Sequence, residues 1–285
     1  MKEASEWSEL EVAEIQEKST LITLKNLQPL KILNPGTHSG SCHAVLSTYG
    51  GGMVSGDKIR LRVACGRNTR LFLGTQSNTK VFRSSDGAAA EQFIVGELEE
   101  KSLAVVFPDP VVLQEDSRYR QVQHWHLKPD ALLFVVDWFH SGRMDRGEKF
   151  VFTSFLSELK VSIAGKVVLL DRFAFSPAEN IAASPANFDR YQTMFSAYLV
   201  GNPEEERFIR LAEKLLQLKM AEGASPHFDL AQQAVILSAS RVKEGVYILR
   251  AMAESRIDLL ALCDALLTEL ATDSYLGFHP WKRKY

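Results

Sequence analysis

From residue 20 onward the chain alternates apolar and polar positions over short stretches, and this pattern recurs with little interruption to about residue 200. Alternation sends successive side chains to opposite faces, as a half-buried β-strand requires. In residues 59–65, Ile59, Leu61, Val63 and Cys65 share one face, while Arg60 and Arg62 share the other. Residues 66–69 read as a turn into a strand over 70–73, so the pair is predicted to form a hairpin. Further strands are predicted over residues 81–83, 90–95, 102–107, 111–113, 120–127, 131–137, 149–161, 166–173 and 192–200. Asp86-Gly87, Pro108-Asp109-Pro110, Lys128-Pro129-Asp130, residues 142–147 and Ala164-Gly165 supply the turn chemistry between them. Residues 1–18 are polar and read as a flexible lead.

Two stretches change period. Asn202 fits an N-cap, Pro203 the first helical position and Glu205 a capping box, after which Phe208, Leu211, Leu215 and Leu218 recur at helical spacing. This helix is predicted to stop near Gly223. A hairpin of residues 234–240 and 246–253 turns at Lys243-Glu244-Gly245, and Ser255 caps a second helix that buries Leu259, Cys263, Leu266, Leu267 and Leu270. Cys263 on that stripe reads as core, not nucleophile. Strands that follow one another without intervening helices argue against doubly wound and TIM-type folds. The predicted class is mainly β: one β-rich unit over residues 1–285, of many short strands, with a small helical layer of two helices near the C-terminus. No repeat of fixed period is visible.

Composition supports an ordinary globular protein: 285 residues, 46% hydrophobic and 24% charged. Lys and Arg number 33 against 35 acids, which provides no basic field for nucleic acid. Cys42, Cys65 and Cys263 are widely spaced and contain no C-x-x-C, so a reducing, cytosolic setting is expected. The first ten residues lack a secretory pattern, and the apolar run 131–136 is far short of a membrane span.

The glycine-rich segment 50–58 fails as a phosphate loop, because Asp57 follows its last glycine where a P-loop carries lysine. Its glycines read instead as positive-φ or close-approach positions, and Asp57 as a binder of local amides. Ser77 and Lys80 match S-x-x-K, yet the S-D-N and K-T-G elements that this hydrolase chemistry needs do not occur. His38, Cys42 and His43 cluster before a strand, and His124 and His126 share one strand face, a spacing that suits a weak metal site. Asp57, Asp109, Asp137 and Glu148 adjoin turns or strand ends, where a carboxylate either bonds backbone amides or ligates a cation. Residues 142–148 close the apolar strand; there Arg143 could pair with Glu148 to present a fixed surface to a partner.

Eight segments in fixed order resemble the urease accessory protein D family, UreD, also called UreH. They are LQPLKILNP at 27–35, GGGMVSGD at 50–57, GTQSNTKVFRS at 74–84, FPDPVVLQEDSRYRQ at 107–121, VVDWFHSGRMDRGE at 135–148, LKVSIAGKVVLLDR at 159–172, residues 196–201, and His279-Pro280-Trp281. Ser47-Thr48-Tyr49 stands where many bacterial members have His-Pro-Pro, and the Ser-Gly-Asp at 55–57 looks closer to the eukaryotic branch.

The resemblance implies a non-enzymatic assembly factor in the cytoplasm, acting with accessory protein F and the GTPase accessory protein G on apo-urease to assist nickel delivery. No tightly bound cofactor is implied, only transient Ni²⁺. A passage for nickel calls for weak, fast-exchanging oxygen or nitrogen groups. On the matched positions these are Asp57, Asp109, Asp137 and Glu148, with His124 and His126 as lesser candidates. Arg83, Arg143 and Arg172 would hold carboxylates, and Gly51, Gly52, Gly56, Lys80 and Gly142 are structural or interface positions. The alternatives are a serine hydrolase built on Ser77 and Lys80, and a ligand-binding β-scaffold unrelated to urease.

Overall fold

The structure is a computed structural model that describes residues 6–36, 39–184, 187–221 and 233–281. In chain order the first strands are β1 (Ser8–Ile15), β2 (Lys18–Lys25), β3 (Leu30–Leu33), β4 (Cys42–Thr48), β5 (Lys58–Cys65) and β6 (Arg70–Thr75). Next come β7 (Thr79–Val81), β8 (Ala90–Leu98), β9 (Leu103–Val106), β10 (Val111–Leu113), β11 (Arg118–Leu127) and β12 (Leu132–His140). The set closes with β13 (Ser154–Ile163), β14 (Lys166–Phe175), β15 (Thr193–Val200), β16 (Val235–Lys243) and β17 (Val246–Ala253). Among the described residues the α-helices are the single turn α1 (Pro177–Asn180), α2 (Glu206–Ala221) and α3 (Leu260–Leu270).

The strands form two sheets. One is ordered β14-β13-β11-β8-β5-β1-β2; the other is ordered β16-β17-β15-β12-β9-β6-β4-β3, with β10 and β7 paired beside β12. The chain passes from sheet to sheet at β4–β5–β6, β8–β9 and β11–β12–β13. Successive coils therefore stack in parallel: β5, β8, β11 and β13 in one sheet, β4, β6, β9 and β12 in the other. Parallel strands need a long return path, and here the opposite sheet supplies it in place of a helix. The result is a β-solenoid.

In register, Lys58, Glu91, Arg120 and Leu156 lie side by side at sequence separations of 33, 29 and 36 residues. Unequal coils explain why no fixed period shows in the sequence. At one end the corners are four residues long and stack on each other. Thr69 N–H donates to Gly66 O (3.3 Å), Ser102 N–H to Glu99 O (3.2 Å) and Ala131 N–H to Lys128 O (3.0 Å). Asn68 N–H and Lys101 N–H donate to the next corner up, at Glu100 O and Asp130 O. The opposite end carries the long loops.

The hairpin predicted for residues 59–65 and 70–73 is therefore an arch. β5 and β6 lie in different sheets and present Leu61 and Leu71 to one core. A four-residue turn between two half-buried strands serves either arrangement, so local pattern does not separate them. The polar lead contains β1, which pairs in parallel with β5 and buries Leu10 and Val12. α2 begins at Glu206, not Pro203: Asn202 Oδ1 accepts from Glu204 N–H in a preceding turn, and Glu205 pairs with Arg207 instead of closing a capping box. Gly223, the predicted stop, lies outside the described residues. Before α3 a short 3₁₀ turn opens at Ile257, and Ser255 N–H and Oγ both donate to Asp258 Oδ2.

One core fills the space between the sheets, and a second lies between the larger sheet and the helices α2 and α3. β12 serves both. Leu133, Val135 and Phe139 face the first core, while Leu132, Phe134, Val136 and Trp138 face the second. A strand covered on both faces reads as a continuous apolar run, as residues 131–136 do. Phe208, Leu211 and Leu215 of α2 and Leu266, Leu267 and Leu270 of α3 seal that outer face, each fully buried leucine contributing about 1.5–3 kcal/mol. Cys263 is buried among them, and its thiol is pushed up to about 12 by burial. Among the described residues no helix is long and apolar enough to cross a membrane.

Candidate functional site

Alternation places mostly apolar side chains between the sheets, but at one level it places polar ones. In the smaller sheet Gln92, Gln121 and Ser157 are in register; in the larger, Asp137, Ser196 and Arg250 are. These two rows make a polar seam across a mostly apolar core. Gln121 Nε2 donates to Asp137 Oδ1 (2.6 Å) and to Ser157 Oγ (2.9 Å), and the Ser157 hydroxyl donates to Asp137 Oδ2. Burial raises the Asp137 carboxyl above its ordinary value, against the pull of its two donors. Further along, Tyr198 Oη donates to Asp171 Oδ2 at 2.5 Å, and Arg250 Nη2 donates to the same oxygen at 2.6 Å. On the other side, Tyr119 Oη donates to Gln92 Oε1 (3.3 Å).

The seam runs between two chambers. The first is a cavity of about 70 Å³, and among its walls are Thr48, Gly51, Gln92, Asp109, Gln121 and Asp137. The second, about 50 Å³, is walled by residues that include Asp137, Ser157, Asp171, Tyr198 and Arg250. Asp137 and Trp138 belong to both. Asp109 is buried in the first chamber; its Oδ2 accepts from Thr75 Oγ1 (2.8 Å), and its N–H donates back to that hydroxyl (2.7 Å).

Of the four acids singled out from the sequence, the structure brings Asp109 and Asp137 to one chamber. Asp57 instead accepts from Val54 N–H (2.8 Å) in the glycine loop. Glu148 accepts from Arg143 N–H (3.0 Å) and Nε (2.7 Å), and these bonds hold its carboxyl below the usual range. His124 and His126 point to the outer face of the smaller sheet, where His124 meets Glu158 (3.2 Å) and His126 meets Ser162 (3.1 Å). Arg172 pairs with Glu158 on that same outer face, and Arg83 pairs with Asp116 (2.7 Å). Gly51 and Gly56 adopt positive φ. At Gly52 a Cβ would lie 2.7 Å from Lys80 O, so the glycine loop packs directly on β7. Gly142 is similarly tight against Glu148. Cys42 and His43 sit on opposite faces of β4, and His38 lies outside the described residues.

Sequence reasoning missed Gln92, Gln121, Asp171, Tyr198 and Arg250 as chamber residues. Parity was the available signal for Asp171. It shares a face with Leu169 and Phe173, whereas its neighbour Arg172 shares the opposite one. Ser77 borders the first chamber while Lys80 is exposed on β7, so the two are not gathered in one cleft. Among the described residues no group of three His, Cys, Asp or Glu side chains is placed to hold a metal ion.

Fold and site together define a two-sheet β-solenoid scaffold whose core is crossed by a hydrogen-bonded polar seam. A family model described as "UreD urease accessory protein" matches residues 7–283. A protein of Cytophaga hutchinsonii named urease accessory protein UreD is 34% identical over 275 residues, 96% of each chain. Its namesake in Sorangium cellulosum is 33% identical over 257 residues, 90% of this chain and 77% of its own. Urease accessory protein D of Oryza sativa subsp. indica is 33% identical over 177 residues, 61% of this chain and 58% of its own. The chain belongs to the UreD urease accessory protein family. Its extended similarity to two bacterial members does not single out the eukaryotic branch suggested by Ser55-Gly56-Asp57.

Proposed function

We propose that the protein is a non-enzymatic assembly factor of the cytoplasm that binds apo-urease together with accessory proteins F and G and passes Ni²⁺ to the maturing metallocentre through its interior. Family membership over nearly the whole chain supports the urease assignment. The observation that carries the passage is the polar seam that crosses the core between two chambers and meets both at Asp137. Oxygen atoms dominate it, and among the described residues its carboxylates do not gather into a cluster of three. Such groups bind a divalent ion weakly and release it quickly, which suits a cargo and not a resident cofactor. Asp109, Asp137 and Asp171 are the carboxylates of the path, whereas Asp57 and Glu148 brace loops at the long-loop end of the solenoid. GTP hydrolysis falls to the partner GTPase.

The test is urease activation reconstituted from apo-urease, the accessory proteins and Ni²⁺. Asp137→Asn keeps the size of the side chain and can still bond Gln121 and Ser157, but removes the carboxylate; activation is expected to slow on the order of tenfold. Wild-type rates for this variant would remove the passage. Co-purification with accessory proteins F and G from cells containing apo-urease tests the partner assignment independently and separates it from a ligand-binding scaffold unrelated to urease.

A further inference from the structure

The second chamber ends at an ion pair that joins the sheets. On β17 the inward residues are Val246, Ile248, Arg250 and Met252, so strand parity sends one long cation into the space beneath edge strand β14. Arg250 is 47% exposed and its partner Asp171 is 22% exposed, which sets the pair at the boundary between solvent and chamber. Arg250 Nη2 and Tyr198 Oη both donate to Asp171 Oδ2, at 2.6 and 2.5 Å, leaving Oδ1 outside both bonds. The tyrosine thus keeps the carboxylate in position when the arginine leaves it.

We propose that Arg250 is a displaceable gate: its guanidinium occupies the Asp171 carboxylate at the mouth of the passage and yields that place to a divalent cation. The proposal rests on the reading of the interior as a cation path. An arginine stays protonated at every working pH, so the carboxylate is never left uncompensated while the chamber is empty. A partly exposed arginine–carboxylate pair is a weak one, and twice the charge on the same carboxylate competes with it effectively. Monovalent ions have no such advantage over the guanidinium. The gate would therefore select by charge before any ligand geometry is sampled.

The competing role for the same pair is a mechanical clasp between β14 and β17, and the experiment separates the two. Equilibrium dialysis of Ni²⁺ against the purified full-length chain is compared for wild type, Arg250→Gln, Arg250→Lys and the double variant Arg250→Gln with Asp171→Asn. A gate requires Arg250→Gln to bind about fivefold more tightly, the factor expected when a weak pair no longer holds the site closed. Arg250→Lys should stay at the wild-type value, and Asp171→Asn should abolish the gain. Unchanged or weaker binding by Arg250→Gln overturns the gate, as does a gain that survives Asp171→Asn. A lowered melting temperature without tighter binding identifies the clasp and likewise overturns it. If Asp137→Asn slows urease activation while Arg250→Gln binds as wild type does, the passage stands and the gate falls. If Asp137→Asn activates normally, the passage itself is lost.

Discussion

His140 closes β12 with Nδ1 hydrogen-bonded to Thr193 Oγ1 at 2.6 Å, while its Nε2 is buried with no hydrogen-bond partner among the described residues. Burial, aided by the charge of Arg256, lowers its pKa from 6.5 to about 4. The folded state therefore refuses a proton that the unfolded chain accepts between those values. By linkage its neutral form contributes stability that is complete above about pH 6.5 and is lost as the pH falls toward 4. Asn at this position keeps a polar atom near Thr193 and removes both the titration and the orphaned nitrogen. His140→Asn is expected to flatten the acid limb of stability between pH 6.5 and 4, read as urea midpoints across that range. Parallel pH profiles for the two proteins would show that another group controls the limb. Asp137, on the opposite face of β12, is perturbed in the opposite sense, its carboxyl raised by burial, so both groups are biased toward neutrality.

At the scale of strands, the packing of β8 on β11 depends on one glycine that no motif marks. Gly96 lies in register with Trp125, and a Cβ built there would fall 2.0 and 2.2 Å from Cε3 and Cζ3 of the indole. Trp125 is completely buried and donates to Gln123 Oε1 at 3.2 Å, so it has no free space to retreat into. Overpacking of this kind costs roughly 1–3 kcal/mol. Gly96→Ala should lose about 3 kcal/mol in denaturant unfolding, near the top of that range because the clash is with a rigid ring. A loss below about 0.5 kcal/mol would mean that the sheet yields more easily than its register implies. The glycine loop before β5 was recognisable from sequence through its composition. Gly96 was not, because its constraint is a neighbour 29 residues away in the next coil.

Over the whole molecule, short corners gather at one end of the solenoid and long loops at the other. Segments 50–57, 74–84, 107–117 and 141–148, all within the resemblance to the family, fall at the long-loop end. Arg143 and Glu148 fasten one of these loops through the Arg143 N–H and Nε, and the arginine remains 31% exposed. Arg143→Ala is expected to cost little stability, since the exposed side of the pair is screened while Glu148 keeps its backbone donor. If this end meets the accessory partners, co-purification with accessory protein F should fall by far more than that loss explains. Retention of the complex at wild-type yield would place the interface elsewhere.

Period-two alternation sufficed to identify a mainly β chain, to place most strands, and to set the two C-terminal helices apart by their 3.6-residue period. Those signals are local: each depends on which side of one element meets water. The family was legible too, because it resides in short segments in fixed order. Whether β5 and β6 form a hairpin or an arch, which acids share a chamber, and that Asp171 faces inward while Arg172 faces out were decided by coil stacking. Local polarity is alike in the two cases at each of these points. Only the register of strands 29 to 59 residues apart puts Gln121, Asp137, Ser157 and Arg250 at one level between two sheets.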